Sequence, residues 1–124
     1  MIVGIGTDIV DHKLTSLFGW EKNVSIQKRI FTNLELEIFD YSNNLSFLSG
    51  RFAAKEAVLK CLGTGMQDGI ALTDIEILRN QENIPVVYLS GQVKVISDSI
   101  GIIKWHLSIS HSSSQSIAFA IAET

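Results

Sequence analysis

Residues 45–62 constrain this chain more than any other stretch. They contain no proline and few β-branched residues, and Gly63 follows as a helix-ending residue, so they predict a helix from Leu45 to Leu62. Projected at about 100° per residue, Leu48, Phe52, Ala54, Val58, Leu59 and Leu62 form a broad apolar arc. Arg51 and Lys55 fall inside that arc. Cations in such a place either snorkel to water or need an anionic partner from the protein or a ligand. Glu56 and Lys60 lie at the edge of the arc, one turn apart, spaced for a surface ion pair.

A helix of this kind needs a surface to cover. Residues 2–10 read as a strand, with Val3, Ile5, Thr7 and Ile9 on one face and Gly4, Gly6 and Asp8 on the other. Two glycines beside a carboxylate admit either a second backbone, as under a tightly packed helix, or a ligand. Residues 12–20 and 22–30 read as helical with mixed periodicity. Thr32 and Glu35 have capping-box spacing and predict a short helix to about Tyr41. The role of Glu35 there is structural, with a catalytic role as the lesser alternative.

The second half is mostly strand. Thr73 to Leu78 and Val86 to Leu89 flank a turn at Asn80 to Pro85 and form a hairpin. Gly91 to Ile100 reads as a helix. Lys104 to Ser110 alternates again, with Trp105, Leu107 and Ile109 opposite His106, Ser108 and Ser110. A turn at 112–115 leads to a last strand, Ser116 to Ala122. One face of it is Ile117, Phe119 and Ile121; the other is Ala118, Ala120 and Ala122, small enough for close packing. The pattern is α+β, an antiparallel sheet with packed helices, in a single domain over residues 1–124.

Composition narrows the function. With 46% hydrophobic and 19% charged residues, the chain is not disordered. Its net charge of −3 gives no support to nucleic-acid binding. No apolar run is long enough to span a membrane, and no secretory signal opens the chain. One cysteine excludes an internal disulfide or a cysteine-held zinc and fits a cytoplasmic location. Of the 10 basic residues, 7 fall in the first 60 positions, so an anion-binding face belongs to that half.

Several chemistries are weakly signalled. A Ser-His-Asp hydrolase around residue 110 lacks the nucleophile elbow. Gly63-Thr64-Gly65 is not followed by the Lys-Ser/Thr of a Walker A loop, and Gly4-Ile5-Gly6 lies within a strand, unlike a dinucleotide fingerprint. A magnesium and polyphosphate site fits better. Mg²⁺ needs one or two protein carboxylates, with water and phosphates completing the octahedron. Asp8 and Glu56 could supply them. Arg51, Lys55 and Lys60 would neutralise phosphate charge, and Ser110 and His111 could hydrogen-bond further phosphate oxygens.

The same residues carry a family resemblance. Gly4-Ile5-Gly6-Thr7-Asp8-Ile9, Phe31-Thr32-x-x-Glu35, Gly50-Arg51-Phe52-Ala53-Ala54-Lys55-Glu56-Ala57 with Lys60, Gly63-Thr64-Gly65, and His106-x-Ser108-Ile109-Ser110-His111 occur in this order. Together they resemble the holo-[acyl-carrier-protein] synthases, which are 4′-phosphopantetheinyl transferases, over nearly the whole chain. The resemblance implies transfer of 4′-phosphopantetheine from coenzyme A to a serine of apo acyl carrier protein, releasing adenosine 3′,5′-bisphosphate. It implies Mg²⁺ on Asp8 and Glu56, with Val10 standing where larger transferases place a third acidic ligand. It further implies a homotrimer with sites between protomers, Asp8 and Glu56 coming from one chain and Ser110 and His111 from its neighbour. Lys60 would touch the diphosphate and protonate the leaving oxygen, while Glu56 or a metal-bound water takes the serine proton. Arg51, Gly63, Gly65, Ser110 and His111 would bind the rest of coenzyme A.

The sequence departs from the family in places. His12-Lys13-Leu14 stands where the family usually has an arginine implicated in carrier-protein docking; Lys13, Lys22, Lys28 and Arg29 are the candidates to take over. Glu82-Asn83-Ile84-Pro85 replaces a Gly-x-Pro turn, which Asn83 can preserve by adopting a positive φ. Cys61 reads as a buried spacer.

Overall fold

A computed structural model describes residues 1–64 and 69–124. Strand β1 (Ile2–Asp11) leads into three short helices, α1 (His12–Leu17), α2 (Val24–Ile30) and α3 (Asn33–Ser42). The long helix α4 (Leu45–Leu62) follows, then the hairpin β2 (Ile75–Arg79) and β3 (Pro85–Leu89), helix α5 (Gly91–Ile100), and strands β4 (Lys104–His111) and β5 (Gln115–Glu123). A three-stranded antiparallel sheet has the order β1-β5-β4, and β2-β3 pair separately. No described helix is long and apolar enough to cross a membrane.

Local chemistry sets the boundaries. The mixed periodicity of 12–30 resolves into two shorter helices, with Asn23 capping α2 by accepting from Ile26 N at 3.1 Å. Thr32 and Glu35 form the predicted capping box at α3. In the β2-β3 turn, Asn80 Oδ1 accepts from Glu82 N and Ile84 N, and Asn83 takes φ 63°. Gly63 ends α4 with φ 73°.

Helix α4 is the centre of the molecule. It is buried on nearly every side, not along one arc. Its small residues face the sheet: a Cβ on Gly6 would stand 1.9 Å from the carbonyl oxygen of Ala57, and one on Gly4 would stand 2.3 Å from that of Cys61. Of the two readings of the strand glycines, the close approach of a second backbone is the one observed. Cys61 is buried, and its thiol lies 3.3 Å from the carbonyl oxygen of Ala120. Burial raises its pKa to about 11, as a spacer requires.

The sheet therefore turns its small residues inward. Inner rows run Gly4–Ala122–Trp105, Gly6–Ala120–Leu107, Asp8–Ala118–Ile109 and Val10–Ser116–His111. Outer rows run Ile5–Ile121–His106, Thr7–Phe119–Ser108 and Ile9–Ile117–Ser110. Ile5, Ile9, Ile117 and Phe119 remain 59%, 57%, 45% and 41% exposed, so the outer face is an open apolar surface.

Candidate active site

Strand β1 and helix α4 bring two carboxylates to one place. Asp8 follows the glycine seat on β1, and Glu56 immediately precedes Ala57, whose carbonyl rests on Gly6. Both line a cleft of about 310 Å³, walled by Leu14, Phe18, Trp20 and Phe52. Burial, then the charge of Asp8, raises the pKa of Glu56, with Lys60 opposing. Lys60 does not close the expected ion pair on its own helix. Its Nζ donates to the Thr7 carbonyl oxygen at 2.7 Å and to Asp8 Oδ1 at 3.3 Å, and it remains half exposed beside the cleft.

Two mutually repelling carboxylates, partly desolvated and served by a single lysine, suit a divalent cation. Mg²⁺ takes one or two carboxylates and fills the remaining positions with water and phosphate oxygens. Among the described residues no group of three or more metal-ligating side chains occurs, and Val10 in the inner sheet row is buried.

The other predicted residues lie elsewhere. Ser110 is on the outer sheet face and Asp8 on the inner one, in strands separated by β5, roughly 10 Å apart. Ser110 and His111 line a second cleft of about 290 Å³ with Ile9, Ser112, Gln115 and Ile117. Arg51 lies beside a third cleft, its guanidinium 4.2 Å from the Phe47 ring centroid. It is 3% exposed, and its Nε has no hydrogen-bond partner among the described residues. Desolvation, then the charge of Arg79, lowers its pKa to about 10, with Glu35 opposing. Gly63 is the helix cap, and Gly65 lies outside the described residues.

Lys55 is corrected by the structure. Its Nζ donates to Glu35 Oε1 at 2.7 Å, to Ile30 O at 2.7 Å and to Leu72 O at 3.1 Å, and both side chains are fully buried. It has no hydrogen left for a phosphate. Glu35 Oε2 also accepts from Ile77 N at 2.9 Å, so the capping-box residue ties α3, α4 and β2 together. Sequence reasoning also missed Ser116, which bridges His12 and His111 at 2.7 Å to each. The signal was the strand register that sets residue 116 opposite both Val10 and His111.

Comparison with known proteins decides the family. The family model of the 4′-phosphopantetheinyl transferase superfamily matches residues 4–122. The chain belongs to that superfamily. A holo-[acyl-carrier-protein] synthase of Hydrogenovibrio crunogenus is 39% identical over 125 residues, covering 100% of this chain and 98% of the relative. The crystal structure of holo-[acyl-carrier-protein] synthase from Neisseria meningitidis matches with a TM-score of 0.91 at 32% identity, covering 100% of both chains. That of a holo-(acyl-carrier-protein) synthase from Bacillus anthracis, in complex with CoA (3′,5′-ADP), matches with a TM-score of 0.81 at 32% identity over 100% of this chain and 98% of that one. The α+β architecture is thus that of the holo-[acyl-carrier-protein] synthases, and the chain is an enzyme of that transferase class.

Proposed function

We propose that this transferase moves 4′-phosphopantetheine from coenzyme A to a serine of apo acyl carrier protein, and that Asp8, Glu56 and Lys60 carry the reaction. The observation that supports this most is the pair of carboxylates lining one cleft with a half-exposed lysine held against one of them. Asp8 and Glu56 would hold Mg²⁺, which supplies positive charge against the coenzyme A diphosphate and the leaving group when bound. Lys60 binds the diphosphate and protonates the leaving oxygen. Glu56 takes the proton of the attacking serine as the new O–P bond forms. The bond to adenosine 3′,5′-bisphosphate breaks as that O–P bond forms.

The site is completed between copies of the chain. We place Ser110 and His111 of a neighbouring protomer, with Arg51, at the nucleotide end of coenzyme A. In support, Ser110 and Asp8 lie on opposite faces of the sheet. The open apolar rows Ile5–Ile121, Thr7–Phe119 and Ile9–Ile117 offer a buried interface for a homotrimer. Arg51, cationic and without a protein partner at Nε among the described residues, is suited to a phosphate. The lone, buried Cys61 is in keeping with a reducing cytoplasm.

The test is the intact mass of apo acyl carrier protein incubated with coenzyme A, Mg²⁺ and enzyme. A gain of one phosphopantetheine is expected, lost on chelation. No gain at any Mg²⁺ concentration, or hydrolysis of coenzyme A without carrier protein, contradicts the proposal.

A further inference from the structure

His12, Ser116 and His111 form a polar chain at the end of the sheet, and the mechanism above gives no role to His12 or Ser116. Ser116 is fully buried on β5, in register with Val10 on one side and His111 on the other. Its Oγ lies 2.7 Å from His12 Nε2 and 2.7 Å from His111 Nδ1, and it has no third hydrogen-bond partner among the described residues. A hydroxyl donates once. With both rings neutral, the chain can therefore run in either of two directions.

In the forward direction His12 Nε2–H donates to Ser116, and Ser116 donates to His111 Nδ1. His111 then carries its proton on Nε2. In the reverse direction His111 Nδ1–H donates, and its Nε2 is a bare lone pair. The forward arrangement puts both histidines in the Nε2–H tautomer, the form an imidazole side chain favours intrinsically; the reverse puts both in the other. Burial first, with the charges of Arg51 and Arg79, lowers the pKa of His111 and favours its neutral ring. The ring is also fixed in place. A Cβ on Gly50 would stand 2.6 Å from His111 Cε1 and 3.3 Å from Nε2, so the imidazole rests against the backbone of α4. Nε2 has no protein partner among the described residues. A phosphate oxygen accepts from an N–H and is repelled by a lone pair.

We infer that Ser116, directed by His12, is a positioning residue that holds His111 in the Nε2–H tautomer able to donate to a phosphate of coenzyme A. The inference rests on the reading of His111 as a coenzyme A contact.

The experiment combines ¹⁵N-histidine NMR of the full-length enzyme at neutral pH with calorimetric coenzyme A binding in the absence of carrier protein. Wild-type His111 is expected as the Nε2–H tautomer. Ser116→Ala, a small change at a buried site, and His12→Leu, at a half-buried one, are each expected to mix the tautomers. Each should weaken coenzyme A binding by about 3- to 10-fold, with kcat at saturating coenzyme A within about twofold of wild type. His12→Gln, whose amide still donates to Ser116, should keep the wild-type tautomer and affinity. A doubly protonated or Nδ1–H His111 in the wild type overturns the inference. So does an unchanged tautomer in both disrupting variants, or a changed tautomer with unchanged affinity. Unchanged coenzyme A binding in His111→Ala would instead remove the contact itself, and with it the functional half of the inference, while the measured tautomers stand.

Discussion

Gly6→Ala probes how the fold builds the site. The new Cβ would lie 1.9 Å from the Ala57 carbonyl oxygen. An ordinary C···O contact is about 3.3 Å, so α4 and β1 must part by about 1.4 Å at this point. The clash is with backbone, and the seat around it is lined by fully buried Ala57 and Ala120. Overpacking costs about 1–3 kcal/mol, and a backbone contact on two rigid elements places this case near 3. For a chain of this size the melting temperature should fall by roughly 10 °C. The kinetic effect is larger. Gly6 precedes Asp8 by two residues and Ala57 follows Glu56, so the displacement also separates the two carboxylates. A misplacement of about 1 Å costs on the order of 100-fold in rate. Calorimetry, with turnover measured well below the melting transition, reads both. Gly101→Ala is the control: at φ 87°, with its nearest contact at 3.7 Å, it adds only backbone strain of about 1–2 kcal/mol and should retain full turnover. Wild-type stability and turnover in Gly6→Ala would refute the reasoning.

Other predictions follow from single groups. Lys55→Met strands the buried Glu35 carboxylate and should cost about 3–5 kcal/mol in urea unfolding, with Lys55→Met/Glu35→Gln recovering part of the loss; a neutral single variant would contradict the pair. Because the folded pKa of Glu56 is raised, the folded metal-free protein binds more protons than the unfolded chain between the ordinary carboxylate pKa and the folded one. It should therefore lose stability as pH rises through that window, and Glu56→Gln should melt higher at pH 7 with a flatter pH dependence; equal melting at pH 7 would contradict this. The Cys61 thiol, buried with a pKa pushed up to about 11, should resist alkylation at pH 8 until the protein unfolds; rapid labelling of the native protein would contradict its placement.

Much of the fold was legible because its signals are local. The Thr32–Glu35 box, the Asn83 turn and the Gly63 cap each depend on residues a few positions apart. What escaped was long-range. The outward face of β1 and β5 carries the larger apolar residues, since only glycine and alanine let α4 approach so closely, and alternation alone cannot assign the faces. The partner of Lys55 sits 20 residues away on α3, and the bridge from His12 to Ser116 spans 104. The site shows the same division. Asp8 and Glu56 meet because one strand and one helix touch, whereas Ser110 belongs to the opposite sheet face.

Because β5 separates the strand of His111 from that of Asp8, subunit complementation is the most direct test of a site shared between protomers. Glu56→Gln and His111→Ala proteins, each deficient alone, would be mixed under conditions that allow subunits to exchange. A trimer with shared sites pairs an intact Glu56 from one subunit with an intact His111 from the next, and random mixing at equal amounts should restore about one quarter of wild-type transfer. Transfer no greater than the sum of the two separate variants, with exchange verified, would contradict the shared site.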